Sequence, residues 1–173
     1  MCGSKEDGLF WTTGFRFIPK KGENGRWTTS VEAHYKNFSL GLDYRPLTQN
    51  LGVVSSLRLV NESKNVPAVV LGTGPDQFNS VDSQAYFATV SKRIAKPWGI
   101  AISPFTGVGY VEKLDDTNFI GGVIMRKDKV SVQYFNNGYQ NHFVASYDFL
   151  KRHTISFVLW GLEQPGLSYT LRF

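Results

Sequence analysis

Hydrophobic and polar residues alternate along most of the chain, and turn residues interrupt the alternation after every 8 to 12 positions. A period of two is typical of β-strands, because successive side chains of a strand point to opposite faces. No stretch shows convincing helical spacing, so the pattern predicts an all-β protein. Residues 27 to 36 illustrate the alternation, with Trp27, Thr29, Val31, Ala33 and Tyr35 on one face.

The alternation and the turn signals together predict twelve strands. These lie at residues 9 to 18, 27 to 36, 38 to 45, 53 to 61, 66 to 73, 84 to 94, 98 to 109, 118 to 126, 129 to 136, 141 to 149, 153 to 162 and 166 to 173. Most connections are short, so strands that are consecutive in sequence should be neighbours in space. Such a meander exposes two edge strands unless the last strand pairs with the first. We therefore expect a closed antiparallel up-and-down barrel of about twelve strands.

The length of 173 residues fits a single domain. We expect that domain to span residues 9 to 173, after a flexible polar segment at residues 1 to 8. Aromatic residues at 14% and 17 glycines favour strands joined by tight turns. The net charge of +5 comes from basic residues scattered along the chain, without the concentrated stripe of a nucleic-acid-binding protein, so no nucleic-acid partner is predicted.

The chain has one cysteine, Cys2, which excludes an internal disulfide and a cysteine-based zinc site. Small and polar residues follow Cys2, as they follow the acylated cysteine of mature bacterial lipoproteins. Lipidation of Cys2 is one interpretation, and a cysteine that belongs to a tag or a labelling site is the other. No run of about 18 apolar residues predicts a transmembrane helix, whereas a barrel crosses a bilayer with strands of about 10 residues.

The alternation leaves open which face of the barrel is apolar. A soluble barrel has its apolar face inside, and an outer-membrane barrel has it outside, against lipid. Aromatic residues cluster at the ends of the predicted strands, as they do in the two girdles of a membrane barrel. The alternative is that these are ordinary core aromatics. The candidate girdle residues are Trp11, Trp27, Tyr35, Tyr44 and Tyr169.

The polar face of the predicted strands carries charges of both signs and more arginine than an open surface usually shows. Arginine forms bidentate pairs with carboxylates that tolerate partial desolvation, which suits the lumen of a barrel. We expect the following residues to line that lumen: Arg16, Glu32, His34, Asp43, Arg45, Arg58, Glu62, Arg93, His142, Asp148 and Arg172.

The last residues of the chain, "LSYTLRF", resemble the carboxy-terminal signal of bacterial outer-membrane barrels. In that family the assembly machinery reads a terminal phenylalanine with aliphatic or aromatic residues at alternating positions before it. Phe173, Leu171, Tyr169 and Leu167 match this signal residue by residue. The resemblance implies a transmembrane barrel in the bacterial outer membrane, with membrane lipids, lipopolysaccharide and the assembly machinery as partners.

A second and weaker resemblance lies in the middle of the chain. "NVPAVVLGTG" followed by "AYFATVSKRI" is similar to a repeated hairpin of large outer-membrane barrels associated with exopolysaccharide production. The intervening loop and the short chain depart from that family, so this resemblance supports mainly the fold. The matching residues are Pro67, Ala68, Gly72, Tyr86, Ser91 and Lys92.

Small barrels include enzymes, and the three histidines of this chain are its candidate catalytic bases. His142 shares a face with Ser146 and Asp148, but four and six residues along a strand span about 13 and 20 Å, too far for a hydrogen bond between a nucleophile and its base. A neighbouring strand could supply the partner, which leaves a small hydrolase as a less favoured alternative. No spacing typical of a metal site or a phosphate loop occurs, so we expect no metal, no cofactor and no enzymatic activity.

The sequence therefore predicts an outer-membrane barrel that acts as a narrow passive pore or as a structural component of an envelope complex. The slight basic excess of the predicted lumen favours anions if the pore conducts. The main alternative is a soluble β-sandwich or barrel that binds a carbohydrate or a protein partner through its aromatic residues.

Overall fold

The computed structural model describes residues 8–19, 26–75, 83–94 and 97–173, and these residues form a closed antiparallel barrel of twelve strands. Each strand pairs with its neighbours in sequence, as in an up-and-down barrel. The strands are β1 (Phe10–Phe17), β2 (Trp27–Tyr35), β3 (Phe38–Arg45), β4 (Asn50–Val60), β5 (Ala68–Pro75), β6 (Gln84–Ser91), β7 (Ala101–Val111), β8 (Asp116–Lys127), β9 (Val130–Asn136), β10 (Asn141–Leu150), β11 (His153–Trp160) and β12 (Gln164–Arg172).

The barrel is closed by pairing between β1 and β12, in a register that places Thr13 opposite Leu171. The predicted closure of the last strand on the first is confirmed. Because closure pairs the backbone of both terminal strands, the barrel presents no free strand edge.

All twelve predicted strands are present, and the differences from the prediction lie at their ends. β4 begins at Asn50 rather than at residue 53, because Asn50 and Leu51 already pair with Arg45 and Tyr44. The connection from β3 is a turn of four residues in which Gln49 has φ 52°. A tight turn of this kind brings the strands together earlier than the sequence "PLTQNLG" indicates.

The barrel has two rims, which we name by the chain ends. Phe10 and Arg172 lie at the terminal rim, and Phe17 and Gln164 lie at the opposite rim. Three of the connections at the terminal rim are two-residue turns, at Lys36–Asn37, Asp128–Lys129 and Lys151–Arg152. Two longer connections, residues 61–67 and 92–100, lie at the same rim.

Burial in the barrel is inverted relative to a soluble protein. Among the described residues, the buried set contains four hydrophobic residues and seven polar or charged ones, whereas large hydrophobic side chains are exposed on strands all around the barrel. The buried polar and charged residues are Thr28, Ser39, Asp43, Arg45, Ser83, His142 and Ser156. The apolar face of the alternation is therefore the outer face, and the polar face lines the lumen.

Candidate functional site: the lumen and the outer belt

Nine of the eleven predicted lumen residues lie on inward-facing strand positions. The strand register shows which side chains share the inward face. Glu32 on β2 lies opposite Thr12 on β1 and Gly41 on β3. His142 on β10 lies opposite Phe135 on β9, and its ring packs against that of Trp160 on β11. The nine inward residues are Arg16, Glu32, His34, Asp43, Arg45, Arg58, His142, Asp148 and Arg172.

Glu62 and Arg93 do not line the lumen, which corrects the prediction for these two residues. Both lie past the ends of their strands, exposed at the terminal rim. The Glu62 carboxylate accepts a hydrogen bond of 3.0 Å from the backbone N–H of Arg93. The neighbouring Lys92 ammonium donates to the carbonyl oxygens of Ser63, Lys64 and Val66. These residues tie the two long connections of the terminal rim together.

A charged cluster lies inside the barrel near the opposite rim. Asp43 and Arg45 alternate along β3, and their side chains form an ion pair with 3.6 Å between Arg45 Nε and Asp43 Oδ1. Arg16 on β1 interacts electrostatically with both of them. Among the described residues, this cluster brings together two guanidinium groups and one carboxylate. Buried charges of this kind are tolerated only when they are paired.

A second cluster lies inside the barrel at the terminal rim. The rings of Phe10 and His34 are stacked, with 4.7 Å between their centroids and 6° between their planes. The guanidinium of Arg172 lies 4.0 Å from the Phe10 centroid, in a cation–π arrangement. The Thr12 hydroxyl lies 2.9 Å from His34 Nε2, and the Glu32 carboxylate lies 3.8 Å from the same nitrogen. These side chains narrow the lumen from the β1–β2 side.

Ion pairs and hydroxyl pairs continue along the inner faces of β3, β4, β8, β10 and β11. Arg126 donates to Asp148 over 2.6 Å, and the Thr154 hydroxyl donates to the same carboxylate over 2.6 Å. Serine hydroxyls pair across neighbouring strands, Ser39 with Ser56 and Ser146 with Ser156, each at 2.8 Å. This part of the inner wall is therefore lined by hydrogen-bonding groups.

The wall formed by β5 to β8 is more apolar, which the sequence pattern did not indicate. Its inward positions include Phe87, Phe105, Val111 and Ile120, together with the polar Thr89, Asp116, Asn118 and Arg126. The Phe87 ring lies across Gly72, where an added Cβ would be 2.2 Å from Phe87 Cζ. Aromatic side chains often pack over glycines of a neighbouring strand in β-sheets. The inward positions of β5 to β8 could have been read from the alternation, but their position opposite the charged cluster depends on closure.

His142 is fully buried and packs between aromatic rings. Its ring centroid is 4.0 Å from that of Trp160 and 4.9 Å from that of Phe135. Its Nδ1 accepts a hydrogen bond of 3.1 Å from the backbone N–H of Gly161, at the start of the turn between β11 and β12. Ser146 and Asp148 bond to other residues of the wall.

The outer face of the barrel carries an apolar belt between two levels of aromatic residues. Leu40, Leu42, Leu57 and Val108 belong to the belt and are 41–50% exposed. Outward aromatics near the opposite rim are Trp27, Tyr44, Tyr86, Tyr110 and Tyr134, and those near the terminal rim are Trp11, Tyr35, Phe38, Tyr147, Tyr169 and Phe173.

The two aromatic levels lie near opposite ends of the strands, about 20 Å apart along the barrel axis. Trp27 and Tyr35 lie at opposite ends of β2, eight residues apart. Eight steps of about 3.3 Å give about 26 Å along the strand, or about 20 Å along the axis at a tilt of about 40°. The candidate girdle residues Trp11, Trp27, Tyr35, Tyr44 and Tyr169 all point outward, as do Leu171 and Phe173. Cys2 lies outside the described residues.

In the part of the chain that the structure describes, no three His, Cys, Asp or Glu side chains come close enough to hold a metal ion. No helix among these residues is long and apolar enough to span a membrane.

The fold and the distribution of polarity define a twelve-stranded up-and-down barrel with an apolar outer face and polar and charged side chains inside. No protein-family model matches the sequence, and comparisons with curated proteins and with solved structures find no match either.

Proposed function

We propose that the protein is an outer-membrane barrel whose lumen forms a narrow passive pore. The observation that carries this proposal is the apolar belt on the outside of a closed barrel. Monomeric soluble proteins rarely expose a contiguous apolar patch of more than a few hundred Å², whereas a band of this kind is the lipid-facing surface of a membrane barrel. The two aromatic levels add support, because such rings favour the boundary between the bilayer and water.

The lining of the lumen supports the passage of small charged or polar solutes. Charges and hydroxyls on β1 to β4 and β9 to β12 offer hydrogen bonds that replace those of water. Among the described residues, the inward strand positions carry five arginines and four carboxylates. The arginines are Arg16, Arg45, Arg58, Arg126 and Arg172, and the carboxylates are Glu32, Asp43, Asp116 and Asp148. This excess favours anions over cations.

A structural role in an envelope complex is the second candidate, and the two side-chain clusters favour it. Asp43 with its arginine neighbours and Phe10 with His34 both occupy the lumen and reduce its free cross-section. If these side chains stay in place, the barrel inserts but does not conduct. Its role would then be to anchor partner proteins in the membrane.

The proposed partners follow from the membrane location. Membrane lipids and lipopolysaccharide would contact the outer belt, and the outward face of β12 would be read by the outer-membrane assembly machinery through Leu167, Tyr169, Leu171 and Phe173. These four side chains share one face of the strand that closes the barrel.

Two measurements test the proposal. We expect the purified barrel to require detergent or lipid to remain monodisperse, and to give small, stable conductance steps in planar bilayers with a preference for chloride over potassium. A protein that stays monodisperse in buffer without detergent would contradict the membrane location. A correctly inserted barrel without conductance would reject the pore and leave the structural role.

A further inference from the structure

The two rims of the barrel differ in the sign of their charge. The terminal rim has eight basic and two acidic residues in its five connections, which are residues 36–37, 61–67, 92–100, 128–129 and 151–152. The opposite rim has four basic and six acidic residues in its six connections, which are residues 18–26, 46–49, 76–83, 112–115, 137–140 and 161–163. The terminal rim is therefore basic, and the opposite rim is acidic.

This difference in charge holds for the whole chain. Both counts cover every residue of the connections, including those outside the described ranges. The chain ends add Lys5, Glu6, Asp7 and the two terminal groups, whose charges sum to −1 and leave the terminal rim positive. Ion pairs between residues of one rim leave the total charge of that rim unchanged. The excess of positive charge thus belongs to the rim as a whole and does not depend on which side chains pair.

The basic residues are distributed around the terminal rim rather than gathered on one side, since each of its five connections contains at least one of them. The exposed basic residues of this rim, among those described, are Lys36, Lys64, Arg93, Lys127, Lys129, Lys151 and Arg152. A protein partner that docks on one side of a barrel needs one charged sector only, whereas lipid surrounds a barrel on every side. The distribution therefore favours a lipid surface as the partner.

The basic residues also lie just beyond aromatic side chains of the outer face. Lys36 follows Tyr35, and its ammonium lies 5.1 Å from the Tyr35 ring centroid. Lys151 lies two residues beyond Phe149, which is 38% exposed. One or two strand residues correspond to about 3–7 Å. Since such rings favour the boundary between hydrocarbon and water, the ammonium groups reach the depth of the lipid phosphates.

We propose that the terminal rim binds the head groups of anionic phospholipids in the leaflet next to it. The phosphates lie beside the lysines and arginines of the five connections, and the acyl chains lie against the outer belt. Each basic residue near an anionic membrane surface favours that surface about fivefold, so several together select the lipids around this rim. This inference rests on the proposed membrane location and does not require the lumen to conduct.

Two tryptophans report on the two rims separately. Trp11 points outward near the terminal rim, and Trp27 points outward near the opposite rim. One variant keeps Trp11 and a matched variant keeps Trp27, with the other three tryptophans of the chain replaced by phenylalanine. Both are reconstituted in phosphatidylcholine bilayers that contain some phosphatidylglycerol, and one or the other lipid carries brominated acyl chains, which quench tryptophan fluorescence.

We expect phosphatidylglycerol to associate with the barrel surface at Trp11 about tenfold more strongly than phosphatidylcholine, and to show no such preference at Trp27. Raising potassium chloride from about 0.01 M to about 0.1 M shortens the Debye length from about 30 to about 10 Å and should weaken the preference at Trp11. Equal association of the two lipids at Trp11, or the same preference at both tryptophans, overturns the proposal.

Charge-neutral variants assign the preference to the rim. Lys36→Gln, Lys151→Gln and Arg152→Gln together remove three charges from the two turns on either side of Trp11 and should reduce the preference about tenfold or more. The matched control, Lys20→Gln with Lys21→Gln and Lys113→Gln, removes three charges from connections of the opposite rim and should leave the preference at Trp11 unchanged. Equal losses in the two variants would assign the effect to the net charge of the chain and overturn the role of the rim.

The outcomes separate this inference from the proposed function. A barrel that needs detergent but shows no lipid preference overturns the phospholipid site and leaves the membrane location in place. A protein that stays monodisperse without detergent rejects both. Stronger association of lipid A than of phosphatidylglycerol at Trp11 overturns the assignment to phospholipids. If the single-tryptophan variants fail to fold, spin-labelled lipids give the same association ratio with the native sequence and the two charge-neutral variants.

Discussion

Trp11 and Phe173 exchange two backbone hydrogen bonds, 2.8 Å from Trp11 N–H to the Phe173 carbonyl and 2.9 Å in the reverse direction. This pair is the terminal-rim end of the seam between β1 and β12. Both side chains point outward at the same level, so one pair of residues contributes to barrel closure and to the terminal-rim aromatic level. The barrel itself leaves both aromatic side chains exposed, so their burial depends on what surrounds the barrel.

A proline in the seam should open the barrel. Thr13 lies opposite Leu171 within the seam, and Thr13→Pro removes its backbone N–H. An unpaired backbone group costs several kcal/mol in a lipid environment. We expect Thr13→Pro to lower the free energy of unfolding in detergent micelles by about 3 kcal/mol or more. Denaturant titration followed by far-UV circular dichroism measures this change.

Thr13→Val is the matched control for the seam, since it keeps the N–H and removes the hydroxyl that donates to the Ser30 carbonyl at 3.1 Å. It should lose no more than about 1 kcal/mol, the usual contribution of one hydrogen bond. Equal losses for Thr13→Pro and Thr13→Val would mean that the seam contributes little to stability.

An arginine placed on the outer belt should be costly only near the middle of the bilayer. Leu42 lies within the belt, and Leu51 lies level with Tyr44 near the opposite rim. We expect Leu42→Arg to destabilise the barrel in lipid vesicles by about 2–4 kcal/mol, and Leu51→Arg by about 0–1 kcal/mol. Urea unfolding in vesicles measures both values. Equal and small effects at the two positions would indicate a belt that faces water.

Reversing a charge on the inner wall should change the ion preference of the pore. Arg58 points inward from β4, and Arg58→Glu changes the charge of the wall by two units. We expect the reversal potential in a potassium chloride gradient to shift toward cation preference. Lys64→Glu makes the same charge change in the exposed connection after β4 and should shift the potential much less. A larger shift for Lys64→Glu would place the selective region at the terminal rim.

His142 should be a packing residue. His142→Ala leaves a space between Phe135 and Trp160 and removes the acceptor of the Gly161 N–H, so we expect a loss of about 2–4 kcal/mol in the free energy of unfolding. His142→Phe fills the space and should recover the packing part of that loss. The check is thermal and chemical unfolding of both variants. Hydrolysis of an ester substrate that disappears in His142→Ala while the fold is retained would instead support the enzyme alternative.

The alternation of residues was sufficient to predict the strands and their pairing order. Short turns force consecutive strands to pair, and twelve amphipathic strands without closure would leave two edges, so the meander and its closure followed from local pattern. The same alternation placed Arg16, Asp43 and Arg172 on the face opposite Leu42 and Tyr169. Glu62 and Arg93 were assigned wrongly because strand ends are where local pattern is weakest: turn residues continue the alternation by chance.

Only the closed barrel decided which of these residues meet. Asp43 and Arg45 are two residues apart, but the approach of Arg16 to them depends on the register of three strands. The apolar wall of β5 to β8 faces this charged cluster across the lumen because the sheet closes on itself. The two parts are far apart in sequence, so no local pattern predicts that they face each other. The sequence by itself therefore determined the strands and the two faces of each one. The tertiary structure decided which inward side chains meet, because closure brings them together from opposite sides of the barrel.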